Sequence, residues 1–385
     1  MKLKSYSSLF IALALPFILA NTSCVKDKPF PLYNGETKTV EYNWPETADS
    51  LQDITYTTFL SADGKYFIQN NTGNNSFNYW WNAHMLDVLV DGYSRSQDDV
   101  YKQRMTSLLN GINDKNNGNY PNDYYDDMEW LALASLRAYG VTQDDSFLNA
   151  ANILWNDIKT GLNNNQGGGI AWRKSQLDYK NTPANAPAVI LACGLFQQQQ
   201  NNQDLELAKT LYQWLKTTLI DPATGLAWDG INSKGDGQID RNKYTYNQGV
   251  LIGAQHELYK VTGDEAYLND AVRTANSVIK DLELAPGGIL KNEGQGDGGL
   301  FKGILVRYLA QLIEEPDLSQ ADRDNYIQFL KNNAQTLYTK GISRPGLMIS
   351  PDWKNKPSGN TDLSTQLSGL MLIEAAAKLD KEGKL

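Results

Sequence analysis

Asp126 and Asp127 are the pair of residues best placed for chemistry. They stand side by side in Tyr124-Tyr125-Asp126-Asp127-Met128-Glu129-Trp130. Leu131, Leu133, Ala134, Leu136 and Ala138 continue the segment as a largely buried helix. Two neighbouring buried carboxyl groups cost free energy unless they are paired, hydrogen-bonded or at work. Helix capping is the competing explanation, with Asn122 or Asp123 at the N-cap and acids favoured in the first turn. Capping accounts for one aspartate as readily as function does. Two of them, between tyrosines and a tryptophan, favour a working site.

Other chemistries lack material. Gly294-Gln295-Gly296-Asp297-Gly298-Gly299 has dinucleotide-loop spacing, but no strand precedes it and no βαβ unit contains it. Residues 232–243 loosely follow a calcium loop through Asp236, Gly237 and Asp240, but Lys234 and Lys243 fall where ligands are needed. No phosphate-binding loop, metalloprotease helix or nucleophile elbow occurs. The two histidines, His84 and His256, sit in helical patterns and read as structural. No metal and no organic cofactor is expected. A net charge of −9 argues against nucleic acid or any polyanion as partner. The chemistry that needs only two carboxyls is glycosidic bond cleavage. One acid protonates the leaving oxygen, and one carboxylate attacks the anomeric carbon or activates water. The 21 Tyr and 9 Trp suit sugar faces as well as cores.

The pair must be positioned by helices. Apolar spacing predicts them near 46–60, 78–93, 97–112, 123–139, 144–162, 184–200, 203–219, 244–261, 264–282, 298–314, 319–340 and 362–379. No run of alternating strands is evident; Gly169-Ile170-Ala171-Trp172 is a short loop candidate. Segments apolar nearly all round, such as 184–196 and 300–312, alternate with amphipathic ones, such as 205–219 and 265–282. The first kind is buried on every side and the second faces water. Six of each predict an all-α (α/α)6 barrel. Val261-Thr262-Gly263-Asp264 echoes the turn at Tyr139 to Asp144. Links from inner to outer helices are short. Links from outer to inner are long, so they gather on one face beside Asp126 and Asp127, where binding residues belong.

The N-terminus reads as a targeting segment: Lys2 and Lys4, then an apolar run over 9–19 too short to span a bilayer. Small residues leading to Cys24 resemble a bacterial lipobox, although Asn21 replaces the usual aliphatic residue. Residues 1–23 are expected to be a signal peptide, and 24–45 a lipidated Cys24 with a flexible tether. The catalytic domain would be 46–385. With Cys24 lipidated, Cys193 is left as a small buried hydrophobe.

Several blocks resemble glycoside hydrolase family 76, the α-1,6-mannanases: Tyr79-Trp80-Trp81-Asn82-Ala83, Tyr124 to Trp130, Gly168 to Arg173, Tyr244-Thr245-Tyr246-Asn247-Gln248-Gly249, and Phe301-Lys302-Gly303-Ile304. The resemblance implies an (α/α)6 fold and a retaining endo-α-1,6-mannosidase. Asp126 would be its nucleophile and Asp127 its general acid/base. The implied partner is α-mannan or manno-oligosaccharide. The leader is similar to those of Bacteroidota lipoproteins, which implies export and a lipid anchor at the outer membrane, on either side. A monomer is expected.

Retention requires carboxyl groups roughly 5–5.5 Å apart, whereas helix neighbours point about 100° apart. Only a helix end projecting into a cleft lets them cooperate. Asp126, nearer the helix N-terminus, should ionise first, and Asp127 should keep its proton through burial and the charge beside it. Glu129, three residues on, is the rival acid. Trp80, Trp81, Tyr125, Tyr246 and Trp353 are candidates for sugar stacking. Asn82, Arg173, Asn247, Gln248, Asp297 and Lys302 are candidates for hydroxyl contacts, although Lys302 suits a buried ion pair equally. Competing functions are a non-catalytic glycan-binding lipoprotein on this fold, or another (α/α)6 enzyme such as an unsaturated uronyl hydrolase or a polysaccharide lyase. The last two want a basic groove, which the acidic charge disfavours.

Overall fold

The alternation of apolar and amphipathic segments becomes two rings of helices in a computed structural model that describes residues 40–385. The signal segment, Cys24 and nearly all of the expected tether lie outside the described residues. Twelve α-helices occur among those described. In chain order they are α1 (Trp44–Phe59), α2 (Tyr79–Ser96), α3 (Val100–Lys115), α4 (Tyr125–Thr142), α5 (Asp145–Ile158), α6 (Ala186–Gln199), α7 (Asn202–Thr218), α8 (Thr245–Thr262), α9 (Glu265–Lys280), α10 (Gly298–Ile313), α11 (Gln320–Thr336) and α12 (Leu363–Lys381). Even-numbered helices pack side by side in a closed inner ring, α2 to α4 and onward until α12 meets α2 again. Odd-numbered helices lie outside them. This is the (α/α)6 barrel, formed by residues 43–385.

The ring closes tightly because glycines face their neighbours. A Cβ on Gly249 would stand 2.6 Å from the Cα of Leu305, where α8 meets α10. A Cβ on Gly303 would stand 2.7 Å from the Cα of Ser368, where α10 meets α12. Side chains at either position would force the backbones apart.

The short inner-to-outer turns are copies of one another. α4 is capped by Gln143 and α8 by Gly263, both with left-handed φ. Asp144 then accepts from the N–H of Ser146, and Asp264 from the N–H of Ala266, to start the next outer helix.

The long outer-to-inner links share a second device. Each of four begins with a hairpin closed by one backbone bridge: Leu60 to Phe67, Leu162 to Ile170, Ile220 to Ala227 and Ile342 to Ile349. A fully buried amide at the start of the next inner helix then grips the hairpin. Asn82 accepts from Phe67 N–H at 2.7 Å and donates to its carbonyl at 3.0 Å. Asn185 treats Ile170 the same way, at 2.7 and 3.0 Å. Gln248 does so with Ala227, at 2.7 and 2.9 Å. Gln366 accepts from Ile349 N–H and donates to Leu347 carbonyl. Buried backbone groups need partners, and these amides supply both halves at once.

Two of the long links also pair with each other, which the sequence pattern did not predict. β1 (Ala171–Arg173), β2 (Gln176–Asn181), β3 (Gly230–Ile231) and β4 (Ile239–Asp240) form an antiparallel sheet in that order. It covers one side of the barrel mouth. At the opposite end of the barrel, Asp87 and Asp91 of α2 are paired with Arg137 of α4 and Arg307 of α10. A cavity of about 470 Å³ opens there, with Arg95 paired to Glu374 and Lys378 to Glu314.

Candidate active site

The barrel mouth holds a cleft of about 730 Å³ lined by Asp126 and Asp127 together with aromatics from five of the inner-helix starts and loops. α4 carries the pair. Its N-cap is Tyr124, not Asn122 or Asp123. Asn122 instead accepts from Tyr124 N–H at 2.8 Å and donates from Nδ2 to Asp127 Oδ2 at 3.3 Å.

The two acids have different surroundings. Asp126 Oδ1 accepts from the backbone N–H of Asp127 at 2.9 Å, and Oδ2 from the indole N–H of Trp172 at 3.0 Å. Asp127 has the Asn122 amide. Each acid keeps some surface open to the cleft, yet the protein around it is dense enough for desolvation to dominate. Burial pushes Asp126 up to about 7, against the opposing pull of its hydrogen bonds. Burial lifts Asp127 well above the ordinary carboxylate range, and the charge of Asp126 adds to it. Asp127 therefore holds its proton longer than Asp126. Glu129, the rival acid, is fully buried and lines no part of the cleft. Burial, then the charge of Asp126, raises its proton affinity well above the ordinary carboxylate range.

Of the residues expected at the site, Trp80, Tyr246 and Asp297 line the cleft. Tyr246 stacks on Phe301, with centroids 3.9 Å apart and planes 5° apart. Asp297 Oδ1 accepts from the indoles of both Trp80 and Trp81 at 3.0 Å. Trp81 itself is buried behind the wall. Asn247 also lies behind the wall and donates to Asp229 Oδ1 at 3.0 Å.

The remaining candidates are not brought to the cleft. Asn82 and Gln248 are the loop grips described above, fully buried and outside the cleft lining. Tyr125 is buried with its hydroxyl 3.2 Å from Thr160 Oγ1. Arg173 lies over the rings of Trp172 and Tyr124 instead of the cleft. Lys302 is sealed in the core, donates to Pro351 carbonyl at 2.5 Å, and sits 5.0 Å from the ring of Trp353. Burial lowers it to about 8. Trp353 is buried in the same packing and stacks on nothing in the cleft.

Sequence reading missed several wall residues, above all Trp172, Tyr179, Asp229 and Tyr244. Asp229 is held by Asn247 and by the hydroxyl of Tyr179 at 3.3 Å, and burial raises its proton affinity. One signal was available: Asp229 stands beside Trp228 and Gly230 in a long link on the same face as the acids.

Comparison with known proteins identifies the family. Residues 45–384 match glycosyl hydrolase family 76. The structure of an α-1,6-mannanase from Salegentibacter sp. HEL1_6 is similar, with a TM-score of 0.85 at 49% identity over 88% of this chain and 100% of that one. A second structure of that enzyme, at 48% identity with the same TM-score and coverage, is an inactive variant in complex with α-1,6-mannotriose; two adjacent aspartates are replaced by asparagine. A mannan endo-1,6-alpha-mannosidase of Candida glabrata is 26% identical over 264 residues, and the match spans 61% of this chain and 58% of that protein. Matched from the start of its first helix to its last residues, this chain belongs to glycosyl hydrolase family 76.

Proposed function

We propose that the protein hydrolyses α-1,6-mannosidic bonds within mannan backbones, with retention, using Asp126 as nucleophile and Asp127 as general acid/base. The observation that carries this reading is the unequal environment of the two carboxyls at one cleft. Asp126 has both oxygens engaged by N–H donors, which favour a carboxylate. Asp127 has only one amide donor to set against burial and the charge of Asp126, and these two favour a carboxylic acid.

In the first step an Asp126 oxygen forms a bond to the anomeric carbon as the bond from that carbon to the leaving oxygen breaks. Asp127 gives its proton to that oxygen, and the leaving chain departs as an alcohol. In the second step Asp127, now a carboxylate, takes a proton from water. The water oxygen attacks the anomeric carbon and releases Asp126. Tyr246, Trp80 and Phe301 offer ring faces and edges to the sugar, and Asp229 and Asp297 offer acceptors to its hydroxyls. An open cleft at the mouth suits binding within a polymer.

The test is digestion of debranched α-1,6-mannan, with Asp126→Asn alongside and the first-formed anomer followed by NMR. A ladder of manno-oligosaccharides with α-configured new ends, absent in the variant, is expected. Mannose alone would move the reading to exo action, and β-configured ends would remove retention. Polymer bound but uncut would favour the glycan-binding alternative.

The leader supports a further part of the proposal: export, cleavage before Cys24 and a lipid anchor at the outer membrane. Mass spectrometry of membrane-extracted protein and of Cys24→Ser tests it. Release of that variant into the soluble fraction is expected.

A further inference from the structure

We propose that Trp172 is the positioning residue for the nucleophile, its indole N–H holding the Asp126 carboxylate by Oδ2 in the orientation needed for attack. The proposal rests on Asp126 being the nucleophile and concerns what sets its aim and charge.

The geometry is built, not incidental. β1 is bonded to the start of α4, through the bridge between Arg173 and Tyr124 and through Lys174 N–H to Asp123 carbonyl at 2.8 Å. Indole and acid therefore ride on two elements locked together. The ladder between β1 and β2 loses register between Ala171 and Arg173, so the irregularity falls at Trp172. Such irregularities re-aim a side chain beside an active site. The ring is then fixed by edge contacts with Tyr124 at 5.2 Å and Tyr179 at 5.6 Å. The guanidinium of Arg173 lies over it at 4.8 Å. One face of the ring is therefore taken by a cation and is not open to stack on a sugar.

The donor type also fits. An indole N–H donates and never accepts. It stabilises the ionised form of Asp126 more than the protonated form, whose carbonyl is a weaker acceptor. A lysine or arginine there would place a full positive charge on the nucleophile and weaken its attack. A hydroxyl could turn round and accept from a protonated Asp126. The other ionisable groups around Asp126 are Asp127 and Glu129 on α4, Asp229 before β3, Tyr246 on α8 and Asp297 before α10. Tyr124, Tyr179 and Arg173 surround the indole. Of all these, only the Trp172 indole donates a side-chain hydrogen bond to Asp126.

The experiment compares wild type, Trp172→Phe and Asp126→Asn on debranched α-1,6-mannan across pH. Loss of the N–H should lower kcat by about tenfold or more with KM changed by less than about threefold. The acidic limb of kcat/KM, which reports ionisation of the nucleophile, should move up by about half a pH unit or more. A rise in KM with kcat and the limb unmoved would make Trp172 a sugar contact and overturn the proposal. Asp126→Asn at the wild-type rate would instead remove the nucleophile assignment, whatever Trp172→Phe does. A measurement on wild type covers the case in which Trp172→Phe does not fold. One indole ¹⁵N–¹H resonance should titrate with the midpoint of the acidic limb and be displaced in Asp126→Asn. Absence of any such resonance would overturn the proposal.

Discussion

The backbone N–H of Asp127 donates to Asp126 Oδ1 at 2.9 Å, so one acid of the pair helps hold the other. The two carboxyls are nonetheless ill at ease. Burial raises the proton affinity of Asp127 well above its ordinary value, near 3.8. A group with a raised folded pKa gives its full stability below the unfolded value and loses it as pH climbs to the folded one. Asn has no such dependence. Asp127→Asn should therefore melt a few degrees above wild type at pH 7, with the gap shrinking towards pH 4. Calorimetry at several pH values checks this; a gap that widens on acidification would contradict it.

The proposed roles of the two acids separate by leaving group. Asp127→Ala should lose about 10³-fold or more on mannan but recover much of its rate on an aryl mannoside whose leaving group needs no proton. Asp126→Ala should stay inactive on both. Steady-state kinetics on the two substrates checks this, and equal recovery by both variants would reverse or merge the roles.

Gln248 offers a contrast between structure and binding. Gln248→Ala strands the N–H and carbonyl of Ala227 in the core. It should cost about 2–4 kcal/mol of stability, with KM for manno-oligosaccharides nearly unchanged below the melting range. Tyr246→Ala, at the cleft, should do the reverse, weakening mannotriose binding severalfold or more with a smaller loss of stability. Calorimetric melting and titration of both variants check the pair.

Gly249 ends the Tyr244 to Gly249 block, and each later member of that block has a separate task. Tyr246 stacks on Phe301, Asn247 holds Asp229, Gln248 grips Ala227, and Gly249 lets α8 touch α10. Gly249→Ala should destabilise the fold by about 1–3 kcal/mol by pushing on α10. Denaturant unfolding checks this. A stability equal to wild type would mean that the contact yields without cost.

The barrel was legible because helical spacing is a local signal repeated along the chain. All twelve segments, and the short turns at Gln143 and Gly263, followed from it. The sheet was not legible, because its strands are two to six residues long and pair across distant loops. Asp126 and Asp127 stood out because two acids at the head of an apolar helix demand a reason. Asn82 and Gln248 stood out equally but for a different cause. Their partners are backbone groups of the preceding loop, which side-chain patterns do not reveal. Trp172 was hidden because its contact with the pair is one hydrogen bond to a residue 46 positions away. Lys302 and Trp353 were candidates for the cleft and for the core alike, and they pack against each other in the core.

Each gripped hairpin divides its long link into a fixed base and an excursion over the barrel mouth. The excursions, residues 68–78, 171–185 and 228–244, supply Phe77, Asn78, Trp172, Tyr179, Asn181, Asp229 and Tyr244 to the cleft. Each leaves its grip and rejoins the same inner helix, so changes in its length are absorbed before the barrel begins. The 68–78 excursion is thus an exchangeable cassette on a common chassis, whereas 171–185 and 228–244 are tied to each other through β2 and β3 and, through Trp172, to Asp126. Swapping 68–78 for a relative's would change which branches of a polysaccharide fit while leaving the acid pair and the helices beneath it in place.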